Sequence, residues 1–230
     1  MALHFASFMR ARPGKDAAAF KDWYLRSFAP RLQATSGGPS RQLVNLTVRG
    51  PDELKLSYDS SDPLERYDVV AELWFATAAD FRKSYGVTPT GELAEWVDVQ
   101  NNYRISDDVK LDRPAPAEMP GPRYKLMREL LFYDDMSDAA ARRCWAHHAN
   151  LALKVHRAMY RYVQHWVEER LTPGLPPVRG ISELCFPNRE EVTHRYYESP
   201  RGKEEVIHDT AHFIQQRLPR VYANEHEIRR

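Results

Sequence analysis

Residues 144–157 read CWAHHANLALKVHR and place three histidines, His147, His148 and His156, on one helical segment. Imidazole is the side chain whose ordinary pKa lies closest to physiological pH, so such a segment is where proton transfer would be carried. At about 100° per residue, Ala141, Cys144, His148, Leu151, Ala152, Val155 and Met159 share one sector, while Arg142, Arg143, Asn150, Lys154 and Arg157 fall opposite or to the side. His148 is thus the one ionisable group in the middle of the apolar stripe. Its two readings are a core histidine satisfied by one hydrogen bond and a base facing a cavity. Trp145, flanking the stripe, and Cys144, within it, are candidate walls for that cavity. His147 points to the flank and His156 to the opposite edge, as surface or rim residues.

Other reactive types are sparse. Glu72 and Glu183 sit in otherwise apolar runs, a structural carboxylate in one reading and an acid or a histidine-orienting group in the other. Asp98 and Asp209 read as helix-terminal or packing residues. His208 and His212, at i and i+4, have the spacing of a metal clamp but no third ligand at a telling distance, so no metal site is expected. The chain has no GxSxG, phosphate-binding or dinucleotide-binding glycine motif. Cys144 and Cys185 are the two cysteines, with no CxxC spacing and no disulfide framework.

The 230 residues allow one large or two small domains. Thirty-three basic against 32 acidic residues give a net charge of +1, which argues against a nucleic-acid partner. No apolar run approaches the ~20 residues of a membrane span, and no secretory leader is evident. The expectation is a cytoplasmic protein with a small-molecule substrate. Twelve Tyr, 9 Phe and 5 Trp suit cores and interfaces, and also a pocket for a flat ligand.

Four prolines between Arg113 and Pro122 mark an extended linker near the middle of the chain, which invites comparison of the halves. AELWFATAADFRKSYGVTPTGELAEWVDV (71–99) aligns without a gap on SELCFPNREEVTHRYYESPRGKEEVIHDT (182–210), each pair 111 positions apart. Glu72 falls on Glu183, Phe75 on Phe186, Tyr85 on Tyr196 and Asp98 on Asp209. Upstream, Asp-Ala-Ala-Ala and a tryptophan recur from Asp16 and Asp138, and a two-residue gap sets Phe28 against His148.

Each half carries the same succession of elements. Strands are expected at 3–10, 42–48 and 67–75 and again at 124–133, 160–167 and 178–186, with helices starting near Asp16 and Ser137/Asp138 and at 78–85 and 190–197. A last short strand or helix ends each half. This is β-α-β-β-α-β twice, an α+β chain of two ferredoxin-like repeats packed sheet to sheet as an α/β-barrel. The units are 1–112, a linker at 113–122, and 123–230 carrying the site.

The repeat sharpens the histidines. Aligning Val44 with Val163 and Val48 with Val167 puts His165 on Leu46, so both His148 and His165 replace an apolar residue of the first half. A polar group inside a duplicated core is costly unless it is paired. The pair therefore points to one working cavity, in the second half. Tyr124, Tyr160, Tyr162 and Trp166 lie on second-half strands; Tyr160, Tyr162 and Trp166 share a face opposite His165 and are placed at the interface between the sheets.

Trp145-Ala-His-His-Ala-Asn-Leu, then Tyr162-Val-Gln-His, Gly180-Ile-Ser-Glu-Leu-Cys-Phe and Tyr197-Glu-Ser-Pro-Arg-Gly resemble the EthD-type dimeric α/β-barrel proteins, with a weaker likeness at Phe28-Ala-Pro and at Tyr67–Phe75. The family's His-Ala-Pro is Phe-Ala-Pro in the first half and His-Ala-Asn in the second. The wider superfamily includes cofactor-free cyclases, lactone isomerases, dehydratases, quinone-forming monooxygenases and haem-binding enzymes. The resemblance thus implies a lyase, isomerase or cyclase without cofactor, acting on a small aromatic or carbonyl compound. His148 would be the base or acid, His165 its partner and Glu183 the orienting carboxylate. Trp145, Tyr162, Tyr124 and Cys144 would contact the substrate. The alternatives are a cofactor-free monooxygenase, a haem protein with a histidine axial ligand, and a non-catalytic binding or accessory protein. A homodimer is also implied.

Overall fold

The computed structural model describes residues 2–51, 54, 67–116, 122–218 and 220–228; residues 117–121 of the proline-rich segment lie outside them. The first half runs β1 (Leu3–Ala11), α1 (Ala17–Trp23), α2 (Ala29–Ala34), β2 (Arg41–Val48), β3 (Val69–Phe75), α3 (Ala78–Ser84), α4 (Glu92–Trp96) and β4 (Val97–Asp112). The second runs β5 (Arg123–Phe132), α5 (Asp138–Val155), β6 (Arg161–Arg170), β7 (Gly180–Phe186), α6 (Arg189–Arg195), α7 (Pro200–Ala211), β8 (Ile214–Arg217) and β9 (Val221–Ile228). Helix starts follow their caps: the side chains of Asp16, Ser137, Asn188 and Ser199 each accept an orphan amide of the first turn.

All pairings are antiparallel. The first half has the order β4-β1-β3-β2. The second repeats it, with β9 and then β8 covering successive parts of β5, and β7 and β6 beyond. The two sheets do more than face each other. Val97 to Ile105 of β4 pair with β1, and Tyr103 to Asp112 continue onto β6; β2 pairs with β9 on the far side. Eight strands therefore close into one antiparallel barrel with helices outside. The 16-residue length of β4 makes the first junction, and closure removes the edges that two separate sheets would expose.

Strand alternation separates two environments. Helix-facing side chains build the clusters around Phe5, Phe20, Tyr24 and Phe81 in the first half and around Leu126, Ala152, Tyr162 and Leu184 in the second. Lumen-facing residues include Ala6, Phe8, Val70, Tyr103, Ile105, Met127 and Ile181. Beside them lies a charged layer of His4, Glu72, Lys125, His165 and Glu183, each at most 6% exposed.

Two features of the repeat alignment change here. The two-residue gap falls at a π-turn over Tyr24–Phe28 that joins α1 to α2, the usual way a helix absorbs extra residues; α5 is continuous. The register also corrects the partner of His165. His165 pairs with Ile181 on β7, and Asn45 pairs with Val70 on β3, where 70 and 181 are repeat-equivalent. His165 thus replaces Asn45, a lumen residue that is already polar. Leu46 belongs to the helix side.

Candidate active site

Helices α5 and α7 lie over the outer face of β5, β6 and β7, and between them is a cavity of about 80 Å³ that continues into an open depression. One water needs roughly 10–15 Å³ on this measure, so there is room for a small reactive group. His148 lines the cavity, with Trp145 and Ala152 from α5, Tyr162 from β6, Leu184 from β7 and Arg128 from β5. His148 is 7% exposed. Its Nδ1 lies 2.6 Å from Asp209 Oδ2 on α7. A carboxylate accepts, so Nδ1–H donates, and the Nε2 lone pair is left for chemistry. The bond from His148 lowers the Asp209 pKa against the opposing effect of burial, keeping the carboxylate charged.

The walls are built for rigidity. Trp145 packs edge-on against Trp166 with centroids 4.8 Å apart. Its carbonyl accepts a 2.7 Å bond from Gln164 Nε2, which also donates to the Tyr162 hydroxyl at 2.9 Å. The indole lies against Gly180, where a Cβ would come within 2.6 Å of Trp145 Cζ3. Gly180→Ala is therefore expected to push the indole into the cavity and cost about 1–3 kcal/mol, read as a lowered urea midpoint. Arg220 donates to the Leu54 carbonyl at 2.8 Å and stacks over Tyr196 at 5.2 Å, bringing a second guanidinium beside Arg128.

His156 also lines the cavity, contrary to the rim position its helical spacing implied. The helix ends at Val155, and the cap residue His156 leaves helical geometry with φ −100° and ψ 60°. Its ring turns inward, with Nδ1 on the Tyr196 carbonyl. Burial lowers its pKa to about 4, the Tyr196 carbonyl opposing this. An unfolded histidine titrates near 6.5, so between the two values the unfolded chain binds more protons. Stability is fully present above pH 6.5 and falls as pH drops towards 4, by on the order of 3 kcal/mol. Urea midpoints of wild type and His156→Asn between pH 4 and 7 check this; the variant loses the acid limb.

Among the described residues, the equivalent place in the first half is filled. Phe28, opposite His148 in the repeat, packs on Trp23, Tyr24 and Tyr85, and the Tyr24 and Tyr85 hydroxyls bond each other at 2.9 Å. Asp98, equivalent to Asp209, is bound by Arg10 at 3.0 Å.

Of the residues expected at the site, His148, Trp145 and Tyr162 come together. His165 and Glu183 do not join them. Ser182 and Leu184 face the cavity, so Glu183 between them faces the lumen, and His165 shares that side. Glu183 binds Lys125 Nζ at 2.9 Å and Arg161 Nε at 3.0 Å, with His165 Nε2 at 3.4 Å. Burial would raise its pKa, but the Lys125, His165 and Arg161 charges hold it well below the carboxylate range. Burial likewise opposes charge on His165, yet Asp107 and Glu183 push its pKa up to about 9. Tyr162 and Trp166 face the helices rather than the sheet interface, while Tyr160 lines a separate depression with Asp112, Arg123 and Arg161. Tyr124 is buried against Tyr222 and Cys144 packs beside the Trp145–Phe132 cluster; neither lines the cavity. The residues that sequence reasoning missed are Asp209, Arg128 and Arg220. For Asp209 the signal was its repeat with Asp98, whose sameness masked a changed partner.

Among the described residues no helix is long and apolar enough to cross a membrane. Among solved structures, an anthrone oxidase-like protein superposes with a TM-score of 0.61 at 10% identity, covering 99% of this chain and 92% of that one. A mutant chlorite dismutase from Candidatus Nitrospira defluvii gives 0.56 at 7% identity over 98% and 91%. At such identities these matches report the α/β-barrel fold. No curated protein matches the sequence. The EthD domain model matches residues 12–87 and 112–217, and the chain therefore belongs to the EthD domain family.

Proposed function

We propose that the protein is an enzyme in which His148, oriented by Asp209, removes a proton from a small aromatic ketone, phenol or related carbonyl compound. The observation that carries this reading is His148, held by Asp209, lining a cavity in one half of a duplicated fold where the equivalent place in the other half is filled by aromatic rings. Nδ1–H on a charged carboxylate makes Nε2 the base and stabilises the imidazolium that forms. Trp145 and Tyr162 wall the cavity around the reactive group, and Arg128 and Arg220, also in its lining, supply positive charge to the enolate or phenolate oxygen. The reactive group occupies the cavity and the remainder of the substrate lies in the open depression.

Proton removal is common to the lyase, isomerase and cofactor-free oxygenase readings; the fate of the resulting anion separates them. The anthrone oxidase-like relative favours oxidation of the anion by dioxygen. Hydroxylated aromatic ketones offered to the purified protein test the choice: His148-dependent substrate loss with matching oxygen uptake supports oxygenation, and equal loss under nitrogen supports elimination or isomerisation. No His148-dependent loss of any of them contradicts both.

Haem, the cofactor alternative, does not fit the residues as they stand. An engineered cavity of about 150 Å³ holds benzene. The cavity here is about 80 Å³, and Trp145, Tyr162, Tyr196 and Phe213 occupy the space a macrocycle would need. Added haem is expected to give no Soret band that His148→Ala abolishes.

A further inference from the structure

Where the two halves join, three strand ends and the start of the linker enclose a second depression, which shares no lining residue with the His148 cavity. It holds about 340 Å³. Its polar lining is Asp112 at the end of β4, Arg113 just beyond it, Arg123 at the start of β5, and Tyr160 and Arg161 at the start of β6. The main chain sets these residues in place. Arg113 N–H donates to the Tyr160 carbonyl at 2.9 Å, and Tyr160 N–H donates to the Cys185 carbonyl at 3.0 Å.

Tyr160 is 6% exposed, and its hydroxyl is buried without a hydrogen-bond partner. Burial raises its pKa, with the Arg123 charge opposing, so the group is an O–H donor at neutral pH. Leaving such a donor unpaired costs about 1–3 kcal/mol. The duplicated fold does not demand this cost. In the first half Ser40 N–H donates to the Trp74 carbonyl at 2.7 Å, where 74 and 185 are repeat-equivalent, so Ser40 is the counterpart of Tyr160. The Ser40 hydroxyl is satisfied, donating to that same carbonyl at 3.1 Å. The second half puts in its place a longer side chain that lines the depression with its donor unspent.

The arginines keep donors as well. Arg161 gives Nε to Glu183 at 3.0 Å and Nη1 to Asp112 at 3.3 Å, and Arg123 gives Nη1 to Glu225 at 3.3 Å. A guanidinium has five N–H groups, so both have others to offer. Glu183 and Glu225 also bind Lys125, which means that they are shared between cations. The Arg113 side chain has no partner among the described residues. Asp112, the single carboxylate of the described lining, is 61% exposed. Guanidinium forks match the paired oxygens of phosphate and carboxylate groups. We propose that this depression binds a small oxyanion, a phosphate or carboxylate group, clamped by Arg113, Arg123 and Arg161 and receiving a hydrogen bond from the Tyr160 hydroxyl. Asp112 competes with the ligand for Arg161. The bound anion ties β4 to β5 and β6 across the junction of the halves, and the site is independent of the function proposed for the His148 cavity.

The test titrates the full chain, in a chloride buffer, with inorganic phosphate and separately with succinate, by calorimetry and by thermal unfolding. The expected result is one anion per chain and a raised Tm; the tighter of the two ligands identifies the group the site takes. Tyr160→Phe weakens binding about 10-fold or more, as loss of a hydrogen bond to a charged group does. Without ligand the same variant keeps or raises the Tm, because the hydroxyl it removes has no partner. Arg113→Gln, an exposed change, also weakens binding about 10-fold or more, and Asp112→Asn tightens it by removing the competing carboxylate. Arg201→Gln, on the exposed side of α7, leaves binding unchanged. The proposal is overturned if neither anion binds one to one at tens of millimolar, if Tyr160→Phe and Arg113→Gln both leave binding intact, or if Arg201→Gln abolishes it. A fall in Tm of ligand-free Tyr160→Phe also overturns it, since the hydroxyl then already has a partner.

Discussion

His148→Ala is expected to lower kcat about 10²–10⁴-fold, the range that a positioned general base contributes, with KM changing far less. The base is lost while the cavity walls, Trp145 and Tyr162, keep their own contacts to Gln164 and Trp166. Asp209→Asn keeps an oxygen within reach of Nδ1–H but removes the charge that stabilises the imidazolium, so its loss of kcat is expected to be smaller, about 10–100-fold. Steady-state kinetics of the two variants and wild type check the ordering. Phe28→Ala provides the contrast: it opens the first-half aromatic cluster, where Phe28 is partly buried, lowers stability by about 1–3 kcal/mol and leaves kcat unchanged. A purely structural His148 would give the reverse pattern, a lowered Tm with kcat intact.

The second large effect is expected at Lys125. Its ammonium is fully buried between three carboxylates; burial works against the charge, but Glu183, Glu72 and Glu225 raise its pKa well above the ordinary value. Lys125→Met removes the cation and strands the anions in the lumen. Breaking a buried ion pair from one side costs about 3–5 kcal/mol, and here one change breaks three. The urea midpoint of Lys125→Met is expected to fall accordingly. Adding Glu72→Gln recovers part of the loss, because one anion no longer needs a counter-charge. Equal additive losses in the double variant would contradict this reading of the network.

The sequence showed the repeat because its apolar and turn residues recur at one fixed offset, and that offset carries β3, β7 and the helices after them directly into the structure. His148 was legible for the same reason, since an imidazole at the centre of an apolar stripe stands out against Phe28. The barrel was expected, but which edges meet was not legible: the β4–β6 and β2–β9 pairs join residues far apart in the chain, and no local pattern announces them. The His165 error came from strand phase. Sliding the second strand by one residue exchanges its two faces, and the Val44–Val163 match concealed that Asn45 is the true counterpart. His156 was misplaced because helical spacing was extended one residue past the helix. Glu183 resembled a site residue by being a carboxylate in an apolar strand; its partners, Lys125 and Arg161, come from other strands and resolve it as part of the lumen.

The central claim is that His148 Nε2 takes a proton from the substrate, whatever becomes of the anion afterwards. Deuterium exchange under nitrogen isolates that step. A C–H-acidic hydroxylated aromatic ketone incubated in D2O with the wild-type protein should lose its acidic proton signal in the 1H NMR spectrum far faster than in buffer, and His148→Ala should return the rate to the buffer value. Enzyme-accelerated exchange that persists undiminished in His148→Ala would contradict this role for His148.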